Sequence, residues 1–124
     1  MNVVLDSSGW IELLAGSDRA PFFEPALRLD RLLVPATVRY EVGRYAFLHR
    51  GTVGRELALT ALSKFEQIPV DDLVADAASE LSRTHKLAMA DALVYASALA
   101  IGAELWTQDR HFEKLDAVRY FPKH

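Results

Sequence analysis

Residues 2–13, "NVVLDSSGWIEL", join a short apolar run to a helical pattern through one aspartate and two serines. Asn2 to Leu5 have strand character, while Trp10, Ile11 and Leu14 recur at helical spacing until Gly16, a residue suited to ending a helix. Asp6 or Ser7 would serve as an ordinary N-cap at that junction, because both accept hydrogen bonds from free helix N–H groups. Capping explains one such carboxylate. Whether it explains this one depends on where the rest of the chain sends its other acids.

The same alternation continues. "RLLVPA" reads as a strand ended by Pro35, followed by a helix capped by Thr37 that runs to about Arg50 and closes at Gly51. "VGRELALTALSKF" is a second helix, "QIPV" a brief strand, and "DDLVADAASELSRTH" a helix whose apolar stripe is Leu73, Ala77 and Leu81. A further helix spans about Ala90 to Ile101 and ends at Gly102; "AELWT" is a strand, "DRHFEKL" a turn with a short helix, and "VRYF" the last strand. Alternating short strands and helices imply an α/β fold with a parallel sheet between helical layers. Residues 1–124 contain no repeat, low-complexity tract or Gly/Ser/Pro-rich linker, so one domain is expected.

Composition narrows the function classes. There is no cysteine, which removes disulfides and thiolate metal sites and suits a reducing cytoplasm. No basic, apolar leader precedes Asp6, so a secretory signal is not expected. The apolar tract "LAMADALVYASALAIGAELW" carries Asp91, and a carboxylate at mid-membrane costs roughly 2.5–3.5 kcal/mol, so the tract reads as a buried helix and strand. Fourteen Lys and Arg against seventeen Asp and Glu give a net charge of −3, which excludes wholesale attraction to nucleic acid. A local basic rim or a bound cation would be needed to hold phosphate.

In a parallel α/β sheet, strand C-termini and the N-terminal turns of crossover helices share one edge, and ligands bind there. Asp6 ends the first strand, Glu41 lies about one turn into the helix after the second, Asp91 opens the helix before "ELWT", and Asp109 follows that strand. Each has a local explanation. Glu41 suits its helix dipole and reaches Arg44 at i+3, and Asp91 and Asp109 suit caps. Glu41 also shares a stripe with Val38, Tyr45 and Leu48, which directs it along the edge of a buried face. Capping alone predicts scattered acids, whereas connectivity predicts convergence. Four clustered carboxylates repel unless a cation compensates them, and oxygen donors without His or Cys suit Mg²⁺ or Mn²⁺.

"LDSSGWIELL", "VPATVRYEVGR", "MADALVYASA" and "LWTQDRHF", in this order and spacing, resemble the PIN-domain ribonucleases, in particular the VapC toxins of toxin–antitoxin pairs. The resemblance implies a PIN-like three-layer α/β/α sandwich with a short, mainly parallel central sheet. It also implies metal-dependent endoribonuclease activity that restrains translation and growth. By resemblance, Asp6, Glu41, Asp91 and Asp109 match the acidic quartet that binds Mg²⁺ or Mn²⁺, and Ser8 and Thr107 match hydroxyl positions that support the first and last aspartates. The implied partners are an RNA substrate, a VapB-like antitoxin and a second copy of the chain in a homodimer. "THKLA" before Asp91 lacks the glycine often seen there, and Gln108 occupies a variable slot; both bear on loop shape and substrate preference.

Arg39, Arg44, Arg110 and His111 flank the acids and are candidate phosphate contacts, a solvated surface charge being the alternative reading of each. His49, His85 and His124 have no mutual metal-site spacing and are expected on the surface. Trp10, Tyr40, Tyr45 and Trp106 fall on apolar patterns and read as core or interface, and "PFFEPALRL" as a partner contact or a buried hairpin. Two other readings of the chain are open. A phosphotransferase with Asp6 as covalent acceptor would want an aspartate where Ser8 stands. A PIN-like RNA- or protein-binding module without catalysis would not need all four acids.

Overall fold

Val3, Val4 and Leu5 are all fully buried, and consecutive burial means that both faces of their strand are covered. That strand, β1 (Asn2–Leu5), is central in the computed structural model, which describes residues 1–29 and 31–123; His124 therefore falls outside the described residues. The chain continues through α1 (Ser7–Ala15), α2 (Ala20–Phe23), a 3₁₀ turn (Glu24–Arg28), β2 (Arg31–Pro35), α3 (Ala36–Leu62) and β3 (Glu66–Ile68). It then forms α4 (Asp72–His85), α5 (Met89–Ala100), β4 (Glu104–Thr107), a second 3₁₀ turn (Arg110–Phe112) and β5 (Val118–Tyr120).

Strand order is β3-β2-β1-β4-β5, and every pairing is parallel. Val4 lies opposite Leu33 of β2 and Leu105 of β4, so the most buried residues of three strands share one register. From β1 the chain first builds outward through β2 and β3, then crosses back to β4 on the other side. The order reverses beside β1, and a crevice opens at the C-terminal ends of β1 and β4 for that topological reason. The expected three-layer α/β/α sandwich is the observed architecture. Among the described residues no helix is long and apolar enough to cross a membrane.

Local chemistry sets the helix ends. Gly16 takes the left-handed conformation that stops α1, and Gly51 breaks α3 at φ 65°, ψ −163°, a region open essentially to glycine alone. α3 is thus the two helical segments expected either side of Gly51. Its N-cap, however, is Pro35 rather than Thr37, because proline's fixed extended geometry already turns the chain into the helix.

Three expectations about faces are corrected by packing. In α4 the buried residues are Val74 and Ala78, and of the expected stripe Leu81 packs partly buried against the core while Leu73 and Ala77 are exposed; both stripes have helical spacing, and docking against α5 selects between them. In α3, Val38 and Val42 face the core while Tyr45 and Leu48 are exposed, so the apolar stripe drawn through Glu41 does not continue into the interior. Residues 21–29 form helical turns rather than a hairpin: Phe23 is buried against Phe121, whereas Phe22 and Leu27 reach the surface. Trp10 and Trp106 belong to the core, and Tyr40 and Tyr45 are exposed.

Candidate metal and catalytic site

Asp6 sits at the seam between β1 and α1, where one carboxylate does two jobs. Its Oδ1 accepts from the Gly9 backbone N–H at 3.0 Å, capping α1, and from Ser8 Oγ at 2.8 Å. Its Oδ2 accepts from Thr107 Oγ1, at the end of β4. Capping and convergence are therefore compatible: the cap fixes the carboxyl group, and the sheet carries it to the shared edge. Gly9 also allows the close approach of Phe23, whose ring would lie 2.9 Å from an added Cβ.

Thr107 links two of the acids. Fully buried, it donates to Asp6 and accepts from the Asp109 backbone N–H at 2.9 Å. Asp109 in turn caps the 3₁₀ turn, its Oδ1 accepting from the His111 N–H at 2.9 Å. Asp91 lies in the first turn of α5, where the helix dipole favours a carboxylate. Glu41 lies on the half-buried edge of α3, where the Ser7 side chain favours its charged form.

Electrostatics record the convergence. Burial raises the pKa of Asp6 above the ordinary carboxylate value, against the opposing hydrogen bonds from Thr107, Gly9 and Ser8; the Asp109 charge adds to the rise. Glu41 is raised by burial and then by repulsion from Asp91, Asp6 and Asp109, with Ser7 opposing. Asp91 is raised by burial and by Asp109, with His111 opposing. Groups on separate faces would not perturb one another in this way. The structure thus brings Asp6, Glu41, Asp91 and Asp109 to one edge, as connectivity required.

Asp91, Asp109 and His111 each offer one ligand atom, and all three atoms lie within 4.8 Å of one another. Hard oxygen donors whose shared repulsion a positive charge would relieve fit a divalent cation. The fit rests on the donor set and its electrostatics.

The basic residues divide. Arg110 and His111 line a depression of about 360 Å³ beside the acids, together with Ser8, Gln108, Asp109 and Lys123. Arg39 is engaged by Ser63 and Gln67, and with Arg44 it lines a separate groove on α3 of about 500 Å³. Sequence reasoning missed Ser7, Lys123 and the role of Gln108. Gln108 is buried and bridges Arg19 and Glu12, donating to Glu12 Oε2 at 2.8 Å. Arg19 continues to the Phe121 carbonyl at 3.0 Å, tying the C-terminal segment to α1. Ser7 was visible as the residue beside Asp6; nothing local announced the Gln108 bridge.

The acids thus lie at the topological switch point of a parallel α/β sheet, the place where such folds bind ligands. The PIN domain family model matches residues 3–118, so the chain belongs to the PIN domain family. Among solved structures it is similar to a toxin–antitoxin complex from Klebsiella pneumoniae, at 22% identity and a TM-score of 0.85, covering 98% of this chain and 99% of that one. It is similar to the Mycobacterium tuberculosis toxin VapC20, described as cleaving the sarcin–ricin loop, at 17% identity, TM-score 0.78 and coverage of 92% and 95%. VapBC-5 of M. tuberculosis, a toxin–antitoxin family member, is similar at 25% identity and TM-score 0.69, covering 98% of each chain. No curated protein sequence matches the chain.

Proposed function

We propose that this protein is a metal-dependent endoribonuclease, the toxin of a toxin–antitoxin pair that restrains translation and growth. The observation that carries the reading is the convergence of Asp6, Glu41 and Asp91, whose carboxyl pKa values are raised, with Asp109, at the switch edge of a PIN-family sheet. The full-length likeness to solved toxin structures supports it.

The four carboxylates would hold Mg²⁺ or Mn²⁺, which when bound polarises the scissile phosphate and makes an attacking water nucleophilic. Asp6 is held rigid by three donors, so its oxygens present fixed negative charge without rotamer search. Ser8 and Thr107 are the supporting hydroxyls, and Thr107 sets Asp109 against Asp6. Glu41 and Asp91, half-buried on the two helices that flank the edge, are placed to orient the incoming water by accepting its hydrogen bonds. Arg110, with Lys123, forms the cationic rim that neutralises RNA phosphates next to the acids; Arg39 and Arg44 are proposed as more distant backbone contacts. Hydrolysis by water in line with the departing 3′-oxygen leaves a 5′-phosphate and a 3′-hydroxyl.

A VapB-like antitoxin and a second copy of the chain are the proposed protein partners. Exposed Tyr40, Phe47, Leu48, Val53 and Leu57 on α3 make an apolar surface of the kind that marks such contacts. Phe22 and Leu27 are a second, smaller one, whereas Phe23 belongs to the core.

The test is incubation of the protein with total RNA in Mg²⁺, in Mn²⁺ or in EDTA, beside the Asp6→Asn variant, with mapping of the product ends. Cleavage that needs metal, leaves 5′-phosphates and disappears in Asp6→Asn supports the nuclease. Binding of RNA without cleavage under any of these conditions would replace it with a non-catalytic binding module.

A further inference from the structure

His111 occupies a position that phosphate contact does not explain. Its Nδ1 lies 3.4 Å from Asp91 Oδ2 and 3.3 Å from Asp109 Oδ1. Both separations exceed the usual range of an N–H···O hydrogen bond, about 2.7–3.2 Å, so Nδ1 sits between the two carboxylates without a short bond to either. Donors about 2.1 Å from a common ion, and separated by 90–110° around it, lie roughly 3.0–3.4 Å apart. The two nitrogen–oxygen separations therefore match neighbouring corners of a coordination sphere, and all three atoms lie within 4.8 Å of one another.

The backbone builds this arrangement. Asp109 caps the 3₁₀ turn by accepting from the His111 N–H, and Phe112, 1% exposed, anchors the same turn in the core. Between these two restraints the His111 side chain is returned over the carboxylate that caps it. The ring remains largely exposed, so it carries no packing duty that would account for its placement.

We propose that His111 Nδ1 is a metal donor beside Asp91 and Asp109, and that it biases the site toward borderline ions such as Co²⁺ over the hard ion Mg²⁺, with Mn²⁺ between them. The proposal rests on the metal-dependent reading above and extends it from an all-oxygen set to a mixed one. Imidazole nitrogen favours the later first-row ions, whereas Mg²⁺ prefers oxygen and retains its water. The ligating tautomer carries its proton on Nε2, leaving the Nδ1 lone pair toward the acids.

Calorimetric titration of the full chain with MgCl₂, MnCl₂ and CoCl₂ tests it, comparing the natural protein with His111→Ala and His111→Gln. Removing the donor is expected to weaken Co²⁺ by at least about tenfold and Mn²⁺ by less, while changing Mg²⁺ less than about twofold. The visible absorption of bound Co²⁺ should shift in both variants, because imidazole nitrogen has left its coordination sphere. Equal effects on all three ions, or an unchanged Co²⁺ spectrum, overturn the role of His111 and leave the carboxylate site standing. Failure of the natural protein to bind any of the three ions overturns this proposal and the metal-dependent function together.

Discussion

Replacing Thr107 by valine keeps the shape of a fully buried side chain and removes only its hydroxyl. Two bonds are lost: the donor to Asp6 Oδ2 and the acceptor for the Asp109 N–H. A hydrogen bond to a charged group is worth about 1.5–3 kcal/mol and a neutral one about 0.5–1.5, so the variant should lose roughly 2–4 kcal/mol with Asp6 ionised. For a 124-residue chain, an unfolding entropy of about 2.1 cal/mol/K per residue converts this to a fall in Tm of roughly 8–15 °C. The sign with pH is set by Asp6. Its folded pKa is already raised by burial, and losing Thr107 raises it further, so the extra penalty is absent where Asp6 is protonated and appears as pH rises. Urea and thermal unfolding across acid to neutral pH read the effect, with Thr107→Ser as the control that keeps the hydroxyl and loses a methyl of about 0.8 kcal/mol. A valine variant as stable as the natural protein, or a deficit that does not grow from acid to neutral pH, would show that the hydroxyl does not support Asp6.

Asp91→Asn removes a carboxylate whose pKa is raised by burial and by Asp109, so in EDTA the variant should be the more stable protein at neutral pH. That advantage should shrink as pH falls and the natural Asp91 protonates. Added Mn²⁺ should reverse the order, because ligand at a hundred times its Kd stabilises by about 2.7 kcal/mol and the variant has lost a donor; thermal scans with and without metal check both signs. Gly51→Ala meets no atom within 4 Å but imposes a side chain on a φ of 65°, so urea denaturation should show a loss of about 1–3 kcal/mol from backbone strain alone. Arg19→Met removes the donor to the Phe121 carbonyl and leaves buried Gln108 short of its partner. A loss of about 1–3 kcal/mol is expected, with faster amide exchange in the C-terminal segment.

Asp6, Glu41, Asp91 and Asp109 could be assigned to one edge from order along the chain, because their positions follow from strand and helix ends alone. Apolar periodicity and the glycines at 16, 51 and 102 mark those ends, and a parallel sheet then has only one edge for them to share. Ser8 and Thr107 are legible through the family resemblance alone, and both hydroxyls donate to Asp6.

The remaining features waited on packing between distant segments. Leu73 and Val74 are neighbours in sequence with equal claim to the interior, and only the docking of α4 on α5 chooses Val74. Gln108 and Arg19 are separated by 89 positions and meet because β4 delivers one beside the start of α2. His111 reads as a solvent-facing cation until the short turn after Asp109 folds it back over two carboxylates. Local periodicity constrains backbone path and side-chain face to within a residue or so. The direction of an individual donor depends on interhelical angles and turn geometry that arise only once the whole sheet is assembled.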